Sequence, residues 1–299
     1  MILAVALSPS VDHTYVVDEL VPGTIHRPLE TVRLAGGNGL NVARAARALG
    51  ADVVAIAVVG GASGRWIATS LEIEGIEFGP VIGRGQTRLR TTLTDQSGAL
   101  TELYEPPTPI DTAEWDALED TIAGAIVESV PSWIVVSGIL PPGAPPDAVS
   151  RIIAIAAEAG AQIAVDSAED GVRQALHSGA DLVTISAVHA AALLHASDPH
   201  DLTSLGEGLR KLAGSDDTAI VVMDGDQGAW ASFPGTDPIV LPPAELGRYR
   251  LGCGDAFVAG LVRALEEEAP PGAALDIATS TSAANSRIPG AGRLDGFTD

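Results

Sequence analysis

Lysine is nearly missing from this chain. Lys211 is the only one among 17 basic residues, set against 39 acidic ones and a net charge of −22. So acidic a surface lacks the basic footprint that nucleic acid or an anionic membrane needs, so neither is expected as a partner. It also repels anionic substrates, and a phosphate site here must be assembled from arginine, backbone N–H groups and metal. Lys211 itself falls in an apolar-periodic stretch, 205–212, and is expected on a solvated face. Cysteine is as scarce: Cys253 alone excludes a disulfide framework and suits a reducing compartment. No apolar run reaches membrane-spanning length without a charge, proline or glycine, and the opening Met1-Ile2-Leu3-Ala4-Val5-Ala6-Leu7 lacks a basic n-region. A cytoplasmic protein is expected. Catalytic motifs are missing too. No Gly-x-x-x-x-Gly-Lys-Ser/Thr occurs, Val59-Gly60-Gly61-Ala62-Ser63-Gly64 does not fit a dinucleotide turn, and the six histidines show no zinc spacing.

What is present points to a layered fold. Apolar residues make up 46% of the chain, enough for a sizeable core. Strand-like runs at 2–7, 53–59, 133–137, 162–165, 182–185 and 219–223 alternate with helical patterns at 41–49, 66–74, 112–128, 146–159 and 255–267. Nearly continuous apolar strands alternating with helices predict an α/β fold with a parallel sheet covered on both faces. Two stretches break the rhythm: 13–17 with 30–34, and 89–94 with 100–104 across Asp95-Gln96-Ser97-Gly98. Their period of two predicts antiparallel strands with one exposed face.

Chemistry concentrates in two glycine turns. In Arg250-Leu251-Gly252-Cys253-Gly254-Asp255, the glycines open a helix whose first turn offers unpaired N–H groups, a ready anion site. Gly252 and Gly254 carry no side chain to keep an anion off that backbone. Asp255 is either a first-turn cap or a base that takes a proton from a hydroxyl attacking a phosphoryl group. Cys253 is either a thiol activated at a helix N-terminus or a small residue between two glycines. The second turn, Ala35-Gly36-Gly37-Asn38-Gly39-Leu40-Asn41, opens another helix that Gly50 stops. Upstream lies Leu7-Ser8-Pro9-Ser10-Val11-Asp12, an apolar strand ending in a turn with an acid.

Together with Ser137-Gly138-Ile139-Leu140-Pro141-Pro142-Gly143, Val165-Asp166-Ser167 and Gly228-Ala229, these segments resemble the ribokinase-like (PfkB) carbohydrate kinases, and within them the sugar-phosphate branch. The resemblance runs almost end to end. It implies one domain over residues 1–299: a three-layer α/β/α core with a mainly parallel central sheet, plus a small β-sheet lid from residues 12–34 and 87–106. It implies an ATP-dependent kinase of a sugar phosphate that uses Mg²⁺ and forms a homodimer through the lid. Asp255 would be the base, with the N–H groups of Gly252, Cys253 and Gly254 around the transferring phosphoryl group. Asp12, Gly36, Gly37, Asn41 and Ser137 would hold the sugar, and Arg27 and Arg88 its existing phosphate. Ser186, Gly225, Gly228 and Asn285 fall on the nucleotide side, and Asp166 near the metal. By residue type alone, Asn41 also suits a helix start, Asp12 a turn, and both arginines an edge strand.

The chain departs from the family pattern on the nucleotide side. Where the family usually has Lys-Pro-Asn-x-x-Glu, this chain reads Thr184-Ile185-Ser186-Ala187-Val188-His189, losing the Asn/Glu pair associated with Mg²⁺. Asp226 adds an acid in Met223-Asp224-Gly225-Asp226-Gln227, unfavourable close to nucleotide phosphates. Ile139 replaces an expected serine, and Asn38 a common lysine. The acceptor side is complete and the nucleotide side eroded, which leaves open a catalytically impaired sugar-phosphate binder or a kinase of an unphosphorylated sugar or nucleoside.

Overall fold

A computed structural model describes residues 1–225 and 227–296. β1 (Ile2–Ala6) opens the chain, buried along its whole length. The chain then leaves for a hairpin, β2 (Ser10–Val16) and β3 (Glu30–Gly36), and α1 (Asn38–Ala48) returns it to β4 (Val53–Val59). α2 (Gly61–Ile73) leads to β5 (Glu77–Ile82), an edge strand that tolerates Pro80, and then to a second hairpin, β6 (Leu89–Thr94) and β7 (Leu100–Tyr104). A regular alternation follows: α3 (Thr112–Ser129), β8 (Trp133–Ser137), α4 (Ala148–Ala159), β9 (Gln162–Asp166), α5 (Glu169–Ser178) and β10 (Leu182–Ser186). α6 (Ala187–Leu194) and α7 (Leu202–Ala213) precede β11 (Ala219–Asp224), the hairpin β12 (Gly228–Ser232) and β13 (Ile239–Leu241), then α8 (Cys253–Glu266) and α9 (Pro271–Asn285).

The large sheet runs β13-β12-β11-β10-β9-β8-β1-β4-β5 and is parallel from β11 to β5, with β12 and β13 antiparallel. Alternate residues of β1 enter opposite cores. Ile2 and Ala4 pack with residues of α1, α8 and α9; Leu3 and Val5 pack with residues of α3 and α4. That alternation across a pleated strand makes the three layers. β1 lies between β4 and β8, so successive connections diverge on either side of it, and ligands gather at such a switch point beyond the strands' carboxyl ends. Lys211 is exposed, as its pattern predicts.

The lid sheet, β3-β2-β6-β7, corrects one expectation. Both hairpins are antiparallel, but they join through β2 and β6 in parallel, Val11 beside Leu89 through Val16 beside Thr94. β2 follows β1 and β6 follows β5. Both parent strands point the same way, so the segments leaving their carboxyl ends enter the lid in one direction.

Helix starts lie earlier than periodicity predicts, at Asn38, Gly61 and Cys253, because glycine and small polar residues are helical there without an apolar signature. α9 was not expected at all. Its buried face includes Ala274, Ala278, Thr281 and Ser282, which a hydrophobic period does not register.

α1 lies hard against β1. A Cβ on Gly39 would sit 2.6 Å from the Ala6 Cα and 2.8 Å from the Val5 carbonyl oxygen. Gly39→Ala should therefore destabilise the fold by about 1–3 kcal/mol, the usual cost of overpacking, although alanine favours helix elsewhere. Denaturant titration checks this; an unchanged midpoint contradicts it.

Candidate active site

The packing of α1 against α8 brings the two glycine turns together. Asp255, 6% exposed in the first turn of α8, accepts 2.8 Å hydrogen bonds on one carboxylate oxygen from Asn38 Nδ2 and on the other from Asn41 Nδ2. Burial, then the charge of Asp166, pushes its pKa up to about 7, while Asn41, Arg90 and Asn38 pull it down. A carboxylate poised there exchanges protons at neutral pH. It opens on a cavity of about 230 Å³ shared with Asn38, Gly138, Asp166, Ser186 and Gly254. Asn38, read in the sequence only as a departure, turns out to be half of the amide pair that holds Asp255.

The glycines around Asp255 have different tasks. A Cβ on Gly254 would meet nothing within 4 Å, so its backbone stands open to an anion. Gly252 instead adopts φ 79° and would collide with Ala291 at 2.5 Å, so packing and backbone dictate it. Cys253 fills a slot: burial pushes its thiol pKa up, which is not the behaviour of an activated nucleophile. Asn285 is fully buried. Its Nδ2 donates to the Leu251 carbonyl and its Oδ1 accepts from the Gly292 N–H, both at 2.8 Å, so it shapes the turn and does not line the nucleotide-side cavity. Gly36 and Gly37 also serve the protein's own atoms. The Asp12 carboxyl lies where a Gly36 Cβ would be, 2.1 Å away, and Gly37 abuts Ser8 and Pro9.

The lid supplies the cations. Asp12 is buried, with one oxygen accepting from Ser10 Oγ at 2.6 Å and the other without a partner. Beside it in register on β6 stands Arg90, its guanidinium 3.9 Å from the centre of the Tyr104 ring. Burial works against the charge of Arg90, but Asp12, Tyr104 and Asp255 hold its pKa above the ordinary value. Arg88, two residues earlier, donates to the Glu105 and Ser8 carbonyls at 3.2 Å, and burial, then Arg90, lowers its pKa. The Nε atoms of both arginines are buried without partners. Arg27 stands exposed between β2 and β3. Sequence reading missed Arg90; the period-two placement of Asp12, Arg88 and Arg90 on adjoining strands was the available signal.

On the nucleotide side, Asp166 accepts from Ser137 Oγ at 2.8 Å and Thr184 Oγ1 at 2.9 Å, and burial raises its pKa. Ser137, expected at the sugar, is fully buried behind that carboxylate. Ser186 caps α6, accepting from the His189 N–H, and lines the cavity. His189 Nδ1 lies 3.0 Å from Glu169 Oε1. A second, largely apolar pocket of about 100 Å³ is lined by Gly225, Gly228, Leu246, Cys253 and Phe257 among others. Asp226 lies outside the described residues. Among the described residues no cluster of three acidic, histidine or cysteine side chains could hold a metal. Mg²⁺ does not need one, since it binds through one or two carboxylates plus phosphates and water. Asp166 and Asp255, whose charges oppose each other, both line the cavity.

An open α/β sheet with a small second sheet, a buried carboxylate and an open helix N-terminus are the parts a small-molecule phosphotransferase needs. The chain belongs to the pfkB family of carbohydrate kinases, whose pattern matches residues 3–294. It is 32% identical to a 1-phosphofructokinase of Haloferax volcanii, covering 97% of this chain and 93% of that protein. It is 29% identical to a tagatose-6-phosphate kinase of Staphylococcus epidermidis, covering 89% and 85%. Phosphofructokinase-2 from Escherichia coli in complex with fructose-6-phosphate superposes with a TM-score of 0.82 at 26% identity, covering 95% and 93%. No helix among the described residues is long and apolar enough to cross a membrane.

Acting as a base, Asp255 would work only when deprotonated, so kcat/KM is expected to fall as pH drops below about 7. Asn41→Ala removes a donor that favours the charged form, and the midpoint should move up. A pH–rate profile of wild type and variant reads both; an unshifted midpoint contradicts the assigned role of Asn41.

Proposed function

We propose that this kinase transfers the γ-phosphoryl group of ATP to a hydroxyl of a ketohexose phosphate, of the fructose-1-phosphate, fructose-6-phosphate or tagatose-6-phosphate class. The observation that carries the substrate class is the pair Arg88 and Arg90. Arg88 is buried and Arg90 half-buried, each with an unpartnered Nε, and Arg90 lowers the pKa of Arg88, so one more anion would relieve the pair beyond what Asp12 offsets. A guanidinium meets a phosphate bidentately. The free oxygen of Asp12, beside Arg90, accepts from a sugar hydroxyl. Names of the relatives support the same class.

Asp255 removes the proton from the acceptor hydroxyl as its oxygen bonds to the γ-phosphorus. The bond from that phosphorus to the bridging oxygen breaks, ADP leaves, and the proton stays on Asp255. The open N–H groups at Gly254 and the start of α8 stabilise the transferring oxygens. The apolar pocket against Phe257 and Leu246 takes the nucleotide base. Mg²⁺ held near Asp166 would neutralise phosphate charge.

The lid serves also as a dimer contact in this reading. Ile25, Leu29 and Leu103 are 86%, 62% and 64% exposed, an apolar face that a second lid would cover. Light scattering should give twice the chain mass; a monomer at working concentration rejects the dimer.

Asp255→Asn should lower kcat by about 10²–10⁴ while leaving a folded protein, because asparagine keeps the helix start. Arg90→Ala should lower kcat/KM for a sugar phosphate by roughly 10–100-fold with little change in the KM for ATP. Arg27→Ala should do the same if its loop closes over the substrate. Steady-state kinetics with phosphorylated and unphosphorylated ketohexoses separate the readings. Equal losses on both substrates make Arg90 structural, and a wild-type preference for the unphosphorylated sugar overturns the substrate class.

A further inference from the structure

A larger groove, of about 770 Å³, lies where α1 and α2 end and the chain makes its last described turns. Arg33 from β3, Arg44 and Arg47 from α1, and Arg293 line it, with Ser70 and a single acid, Glu74. Glu74 is fully engaged, accepting from Arg44 on both oxygens and from Ser70 Oγ. The other three arginines have no carboxylate partner among the described residues. Arg33 stacks over Trp66 at 4.0 Å, Arg293 donates only to the Pro289 carbonyl, and Arg47 makes no side-chain hydrogen bond or ion pair. The C-terminal dipole of α1 accounts for Arg47, but neither Arg33 nor Arg293 sits at a helix end. In a chain with 39 acidic residues against 17 basic ones, four guanidiniums around one groove against a single acid, which is already engaged, is a concentration of positive field.

We propose that this groove is a second anion site, separate from the catalytic cavity, for a small oxyanion carrying two or more charges. Planar guanidinium forks grip phosphate or carboxylate oxygens in pairs, and the groove has room for a metabolite-sized ligand. The floor of the groove reaches the active site through one residue. Arg44 donates to Asn41 Oδ1 at 3.3 Å, to the Ala291 carbonyl at 3.2 Å and to the Ala35 carbonyl at 2.6 Å. Asn41 holds Asp255, and Ala291 packs on Gly252.

Calorimetric titration of the whole protein at low ionic strength tests the site, with pyrophosphate as the phosphate probe and citrate as the carboxylate probe. At least one should bind saturably. Arg47→Gln/Arg293→Gln should weaken that binding at least ~10-fold, while Arg90→Ala in the catalytic lid leaves it unchanged. Arg33→Gln/Arg47→Gln, which leaves the Arg293 turn intact, should weaken it as well. Saturation by neither probe, or binding that the paired variants do not alter, overturns the proposal. Binding lost only in Arg90→Ala assigns the anion to the catalytic lid and overturns it equally.

Discussion

The structure turns on one buried carboxylate shared by two helix starts. Asp255 belongs to the first turn of α8, yet both donors to its oxygens, Asn38 and Asn41, belong to the first turn of α1. Burying a carboxylate is unfavourable unless hydrogen bonds replace its water. Two amides do so here without neutralising it, which leaves a charge held in place but still able to accept a proton. The surrounding packing serves that arrangement. Gly39 lets α1 touch β1, Gly252 lets the α8 turn touch Ala291, and Asn285 ties that turn to Gly292.

Charge placement explains much of the rest. With one lysine and a large acidic excess, nearly all positive charge in the chain is arginine. Arg88 and Arg90 meet the site from the lid, and Asp12 and Tyr104 keep Arg90 charged despite burial, which itself pushes the Tyr104 hydroxyl up to about 12. Arg44 is buried by contrast, with its guanidinium committed to Glu74, Asn41 and two carbonyls, and it acts as framework. Arginine suits both tasks because it stays ionised and donates in fixed directions.

The diverged segment is tied into its surroundings by local hydrogen bonds. Thr184, which stands where the family pattern differs, donates to Asp166 and fixes the orientation of that carboxylate together with Ser137. Glu169, at the start of α5, reaches His189, which lines the cavity. Neither contact follows from spacing along the chain, because each joins residues from consecutive βα units whose approach depends on strand order.

The sequence by itself determined the layered α/β architecture, the lid hairpins and the two glycine turns, because apolar period and turn chemistry are local properties that neighbouring residues express. It also singled out Asp255 and Asp166 by their place at a helix start and a strand end, and Asp12 and Asn41 through the resemblance to the family. Only tertiary structure decided which of them face one another. It put Asn38 and Asn41 on Asp255, Arg90 beside Asp12, and Ser137 and Asn285 behind the site. It also joined the two hairpins in parallel, a direction inherited from strands β1 and β5 of the other sheet. The physical reason is distance along the chain. A hydrogen bond between residues more than 200 apart is selected by how the layers stack, and no local pattern encodes it.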